Sequence, residues 1–278
     1  MHPTLNHLIQ LQELTEVREE LEVAGGVAHL EQLNGAIVAM TEQLPPDIRV
    51  TFEKLHKKDR HVIVPVSEGV CSICGIKLPR SVLQQVQIAD TPQACPNCAR
   101  FLYVPDGVAR NVKKRPGRFD ARKPGISRFS DVSLMIEDLG ADDKEGAIAL
   151  LSHRMEQEGF VDKGDLLLEE ALRREALYST AVDYGLAFPH VRGVEGGALT
   201  LAVGLSKKGI HFDGPKGGLT HIVFFLVIPT AASAFYLKLL AGLTETFMEE
   251  DARKALLDAP DTTAMWKTLT KVTRKAIK

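Results

Sequence analysis

The sequence predicts a multidomain chain in which a short α-helical hairpin and a small cysteine-bearing module precede an α/β sandwich. Three observations predict it. Apolar residues near the N-terminus recur at spacings of 3 and 4, broken once by a glycine pair. Four cysteines fall in two Cys-x-x-Cys pairs. Beyond a basic stretch, helical segments alternate with strands that are apolar on both faces. The length of 278 residues suits about two domains. Hydrophobic residues at 45% and charged residues at 25% are ordinary globular usage and exclude a largely disordered chain. A net charge of −2 argues against a globally basic nucleic-acid binder.

The first helices are placed by their leucines. Leu14, Val17 and Leu21 form one apolar seam, and Leu30, Leu33, Ile37, Met40 and Leu44 resume it after Gly25-Gly26. Such a/d spacing is of coiled-coil type, with the glycine pair as turn and Pro45-Pro46 as the end of the second helix. Residues 1–60 are therefore expected to be a helical hairpin, whose seam leaves room for a homodimer.

Cysteine chemistry follows. Cys71-Ser-Ile-Cys74 and Cys95-Pro-Asn-Cys98, 20 residues apart, hold all the cysteines of the chain. Two knuckles at this separation fit a four-thiolate zinc site, closed and so structural, with Cys71, Cys74, Cys95 and Cys98 as ligands. Two disulfides or a thiol redox site are the competing readings. Disulfides are rare in the cytosol, which is the expected location. The opening Met1-His2-Pro3 is not the start of a secretory signal, and the longest apolar run, from Ile222 to Pro229, is strand length. The run from Leu44-Pro-Pro-Asp-Ile through Val64-Pro-Val-Ser-Glu-Gly-Val-Cys71 and Leu78-Pro79 to Cys95-Pro-Asn-Cys-Ala-Arg-Phe-Leu-Tyr103 resembles a bacterial family. That family joins a helical coiled-coil hairpin to a four-cysteine zinc ribbon, here residues 61–105, and the resemblance implies an adaptor or interaction module. This chain's hairpin is shorter than the family's usual arm.

Residues 110–128 carry 8 basic and 1 acidic side chains and two Pro-Gly pairs. Like charges extend a chain, so residues 106–128 read as a solvated basic linker. A basic arm touching nucleic acid or an acidic partner is the competing reading.

In the last 150 residues, from 129 to 278, Asp142–Leu151, Leu166–Arg174, Phe235–Phe247 and Asp251–Leu257 read as helices. Ala198–Gly204 and Ile222–Ile228 read as strands, the latter fully buried. His190 follows Pro189, with Arg174, Ser179, Thr180 and Arg192 close in sequence. A neutral imidazole nitrogen is a nucleophile near pH 7 and can accept and pass on a phosphoryl group, which arginines and hydroxyls stabilise. Taken alone, a single histidine near arginines reads as readily as a structural residue, and His211 and His221 read as structural.

The order Arg174-Glu175, Ser179-Thr180, Gly185-Leu-Ala-Phe-Pro-His190-Val-Arg192, Gly209-Ile-His-Phe-Asp213, Val223–Pro229 and Leu237-Lys-Leu-Leu-Ala241 is more specific. It resembles the IIA domain of the bacterial sugar phosphotransferase system (PTS), in the fructose/mannitol type that includes the nitrogen-regulatory proteins. The resemblance implies a mixed β-sheet flanked by helices. It implies a phosphoryl group taken by His190 from a histidine phosphocarrier protein, then handed to a IIB domain or used as a signal. Arg174 matches the family's active-site arginine, and Ser179, Thr180 and Arg192 match positions around the site. Tyr236 stands where the family usually has a second histidine that helps hold the phosphoryl group. The alternative function is a non-catalytic adaptor, binding nucleic acid or the transcription machinery through a degenerate IIA fold. Under the phosphoacceptor reading, His190 is expected to be partly exposed to its donor.

Overall fold

The computed structural model describes residues 3–24, 30–67, 69–104, 125–194, 199–214, 217–229 and 233–277. The chain divides into two compact units, with the break between residues 107 and 108. The Gly25-Gly26 turn lies outside the described residues, as does the basic linker up to position 124. The last four residues of that expected linker, Gly125–Arg128, instead form a 3-10 turn whose Ile126 is buried in the second core.

In the first unit, helices α1 (Pro3–Ala24) and α2 (Leu30–Glu42) carry the expected seam. Val17, Leu21, Leu33, Ile37 and Leu44 are buried, while Leu14, Leu30 and Met40 are half-buried. His7 Nε2 bonds the Met40 carbonyl at 2.7 Å, joining the start of α1 to the end of α2, so the pair runs antiparallel. The proline pair does more than end α2. Pro45 caps and Pro46 opens a third helix, α3 (Pro46–His56). A proline loses nothing at the first helical position, where its missing N–H would have had no intrahelical partner.

The cysteine module is a four-stranded sheet in the order β2-β1-β4-β3, with β1 (Ile63–Ser67), β2 (Val70–Cys71), β3 (Gln93–Ala94) and β4 (Phe101–Tyr103). Helix α4 (Arg80–Ile88) lies between β2 and β3 in sequence. Gln12 of α1 offers one side-chain oxygen to two strand-entry donors, Val62 N–H at 2.7 Å and Ile63 N–H at 2.9 Å. Glu19 of α1 pairs with Arg60 at 3.0 Å. Hairpin and module therefore belong to one unit.

The second unit is a mixed six-stranded sheet with helices packed on it, as the α/β reading requires. Its strands are β5 (Met135–Ile136), β6 (Ala181–Val182), β7 (Leu186–Ala187), β8 (His190–Val194), β9 (Thr200–Ile210) and β10 (Thr220–Pro229). The order is β5-β9-β10-β7-β6, and β8 also pairs with β10. Strand β10 is antiparallel to β9 and parallel to β7 and β8. It is buried along nearly its whole length, which is why it reads as an uninterrupted apolar run.

Strands β7 and β8 lie end to end along one side of β10. Ile222 pairs with Leu186, and four residues on Leu226 pairs with His190. Phe188 and Pro189 form the break between them, and Pro189, which has no N–H to donate, still accepts from Leu226 N–H at 2.9 Å. Helices α5 (Lys144–Gln157) and α6 (Gly164–Leu177) pack on each other and on β9 and β8 respectively. Helices α7 (Ser233–Met248) and α8 (Glu250–Leu257) pack on β10. A last helix, α9 (Thr262–Val272), was not expected. Its start is capped by Asp261, which accepts from Ala264 N–H at 2.7 Å.

Candidate functional site

Cys71, Cys74, Cys95 and Cys98 converge in the first unit, with all four sulfurs within 4.8 Å of one another. Cys71 ends β2 with Cys74 just beyond it, Cys95 and Cys98 lie in the turn between β3 and β4, and Gly75, at φ 71°, supplies the left-handed turn after the first knuckle. Cys71 Sγ lies 3.8 Å from Cys98 Sγ and Cys74 Sγ 3.6 Å from Cys95 Sγ. The thiols are free, so the disulfide reading is not what the structure holds. The edge of a tetrahedron of sulfurs about 2.3 Å from a central zinc is about 3.8 Å. The cluster thus has the size of a four-thiolate metal site. Burial pushes the Cys71 thiol up to about 12. Burial acts the same way on Cys74, but the Ile76 N–H, the Asn97 side chain and neighbouring thiols outweigh it and bring Cys74 down to about 6. Arg100, two residues past the last cysteine, anchors the strand by donating to the His61 carbonyl at 2.7 Å and to Asp59 at 2.6 Å.

In the second unit His190 opens β8, immediately after the Phe188-Pro189 break. Its Nδ1 lies 3.0 Å from the Phe188 carbonyl. A carbonyl can only accept, so Nδ1 carries the ring proton and Nε2 carries the lone pair. The Tyr236 hydroxyl sits 3.4 Å from the same Nδ1. Since Nδ1 is the donor, the phenol oxygen is at most a second, longer acceptor. The guanidinium carbon of Arg192 lies 4.9 Å from the centroid of the Tyr236 ring, a cation–π contact. His190, Tyr236 and Arg192 thus form one contiguous cluster built from β8 and α7.

The remaining candidates carry other bonds. Arg174, near the end of α6, donates to the Tyr178 carbonyl at 3.0 Å. Ser179 donates to the Phe212 carbonyl at 2.8 Å. Thr180 directs both its N–H (2.8 Å) and its hydroxyl (2.7 Å) to the carboxylate of Glu175. His221 donates to the Ser206 carbonyl at 3.0 Å from near the start of β10, and His211 is exposed just past the end of β9.

A model of the family described as phosphoenolpyruvate-dependent sugar phosphotransferase system, EIIA 2, matches residues 129–272, just over half of the chain. The chain belongs to this family. Over 116 residues it is 34% identical to the PTS system fructose-specific EIIA component of Haloferax volcanii, spanning 42% of this chain and 75% of that protein. It is also 31% identical over 103 residues to a nitrogen regulatory protein of Bradyrhizobium diazoefficiens, 37% of this chain and 67% of that protein. Among solved structures, the nitrogen regulatory protein IIA-Ntr of Neisseria meningitidis aligns with a TM-score of 0.48 and 24% identity, over 51% of this chain and 97% of that one.

Within the EIIA domain, one expectation is corrected. His190 was expected to be partly exposed and is only 2% exposed. The reason is its place on β8, which pairs with β10 and is packed by α6, with the fully buried ring of Tyr236 beside it. Sequence reasoning also passed over Glu175, a carboxylate 3% exposed that both Thr180 donors converge on. Its signal was present: a helix-terminal Glu followed within five residues by a Ser-Thr pair. No helix among the described residues is long and apolar enough to cross a membrane.

Proposed function

We propose that the EIIA domain accepts a phosphoryl group on Nε2 of His190 from a histidine phosphocarrier protein and passes it to a IIB-type partner or uses it as a signal. The observation that carries this reading is the Nδ1–Phe188 hydrogen bond, which keeps the lone pair on Nε2. That lone pair attacks the phosphorus of the donor's phosphohistidine. The new N–P bond forms as the donor's N–P bond breaks, and the released electron pair returns to the donor's imidazole. No proton leaves His190, because its ring proton stays on Nδ1, donated in a hydrogen bond to the Phe188 carbonyl. Arg192 and Arg174 are the cations that answer the phosphoryl oxygens, and electrostatic stabilisation of this kind supplies most of the rate in phosphoryl transfer. The relatives' names, fructose-specific and nitrogen regulatory, support transport-linked transfer and regulation alike.

In this reading the four cysteines hold one structural zinc, and the first unit is the interaction module that couples the phosphorylation state to a target. The sulfur spacing supports the metal, and a closed four-sulfur site supplies folding energy rather than chemistry. A second reading, an adaptor whose EIIA fold takes no phosphate, is favoured by the burial of His190 and by Tyr236. Incubation of the full chain with phosphoenolpyruvate, the first PTS enzyme and its histidine carrier decides between them. Acid-labile phosphate that is absent from His190→Ala supports the phosphoacceptor. No label on either protein, with the carrier itself labelled, supports the adaptor.

A further inference from the structure

Glu175 is a buried carboxylate with no part in the transfer chemistry above. It is 3% exposed and accepts from Thr180 twice, through N–H at 2.8 Å and hydroxyl at 2.7 Å. Burying a carboxylate costs several kcal/mol unless it is well hydrogen-bonded, so the pair holds the backbone at Thr180 firmly in place. From Thr180 the connection continues. Its carbonyl accepts from Phe188 N–H at 3.1 Å. The Phe188 carbonyl in turn accepts from His190 Nδ1 at 3.0 Å. Phe188 is fixed from its other side by stacking on Phe224, with ring centroids 5.3 Å apart. We propose that Glu175 is a positioning residue for His190: through Thr180 it sets the place of the Phe188 carbonyl, and that carbonyl selects the ring tautomer and the direction in which Nε2 points.

The coupling is positional rather than electronic. Each hydrogen bond in the series ends on a different peptide group, so polarisation does not pass along it as it does along a helix. What passes is place. Phe188 and Pro189 form the break between β7 and β8, and two bonds locate the Phe188 carbonyl between them: Phe188 N–H donates to the Thr180 carbonyl on one side, and Pro189 accepts from Leu226 N–H on the other. Reactive geometry is sensitive at this scale, and a misplacement of about 1 Å costs up to about a hundredfold in rate. A positional role also makes a distinct demand of the substitutions. Glu175→Gln can accept Thr180 N–H on its amide oxygen and donate to the Thr180 hydroxyl oxygen, so it keeps both bonds without the charge. Glu175→Ala keeps neither.

The inference rests on the phosphoacceptor reading for its rate effect but not for its tautomer effect. The test therefore reads both on the full chain. Nitrogen-15 imidazole spectra at about pH 8.5, above the histidine range, should show the wild-type His190 ring protonated at Nδ1. Glu175→Gln should keep that tautomer and take up phosphoryl groups within about threefold of wild type. Glu175→Ala should give a tautomer mixture and slow uptake by about ten- to a hundredfold. If Glu175→Ala does not fold, Thr180→Val, which deletes only the hydroxyl bond, should shift the tautomer in the same direction to a smaller extent. Folded variants with an unchanged tautomer overturn the proposal, as does a Gln variant as impaired as Ala. If wild type takes no phosphate from a competent donor, the phosphoacceptor reading falls, and the spectra still decide what Glu175 does.

Discussion

At the scale of single residues, Tyr236 shows what a position means before and after its neighbours are known. The resemblance to the family makes it the expected stand-in for a phosphoryl-holding histidine. In the structure its hydroxyl meets Nδ1, the nitrogen that already has its proton and its acceptor. Its buried ring is tilted against His190 and lies under Arg192. Tyr236→Phe should lower stability by about 1 kcal/mol, the usual net worth of a hydrogen bond, and should slow phosphoryl uptake less than threefold. Tyr236→Ala should cost about 3–5 kcal/mol in urea unfolding, the usual loss for emptying a buried aromatic site. A Phe variant as impaired as the Ala variant would return the hydroxyl to the centre of the site. His190 was legible because a Pro-His-x-Arg run is local. The commitment of Ser179 to Phe212 was not, because the two are 33 residues apart and no spacing rule links them.

At the scale of elements, the long helices and the central strand followed from periodicity, while the short strands β5, β6 and β7 did not. Two-residue strands carry too few side chains to show a period, and they exist because β9 offers hydrogen bonds to β5, β10 to β7 and β7 in turn to β6. Strand β10 bears the main core, and its Phe224 packs between Phe188 and Phe247, the latter at 4.9 Å. Phe224→Ala should lose about 3–5 kcal/mol of second-unit stability by denaturant titration. Helix α5 starts on Asp143, which accepts from Gly146 N–H at 2.9 Å, so Asp143→Ala should cost about 1 kcal/mol. In the first unit, His56 of α3 stacks on Phe52, and burial, with Arg18 beside it, holds its pKa below the usual 6.5. Protonation is thus easier in the unfolded chain. The contribution of His56 is complete above 6.5 and is lost as the pH falls below that value toward the folded pKa. His56→Gln should flatten that part of the stability–pH curve, measured as the difference from wild type at each pH. Parallel curves would show that His56 does not carry it.

At the scale of the whole molecule, the ties from Gln12 and Glu19 to the module make the hairpin share the fate of the cysteines. Metal analysis should return about one zinc per chain. Cys98→Ser or a strong chelator should loosen residues 3–104 as one block and leave the EIIA domain intact, seen as a protease-resistant C-terminal fragment that keeps its own thermal transition. Simultaneous loss of both transitions would join the two cores into one cooperative system. Sequence alone determined whatever depends on near neighbours: the cysteine knuckles, the leucine seam, the buried apolar run of β10 and the histidine after Pro189. Tertiary structure alone decided that α3 follows the proline pair as a helix packed in the first unit and that Glu175 grips Thr180. It also decided that His190 is buried with Nε2 as its lone-pair nitrogen. The reason is physical. A side chain's type is carried by its codon, but its hydrogen-bond partner and its distance from water depend on segments brought together only when the sheet closes around them.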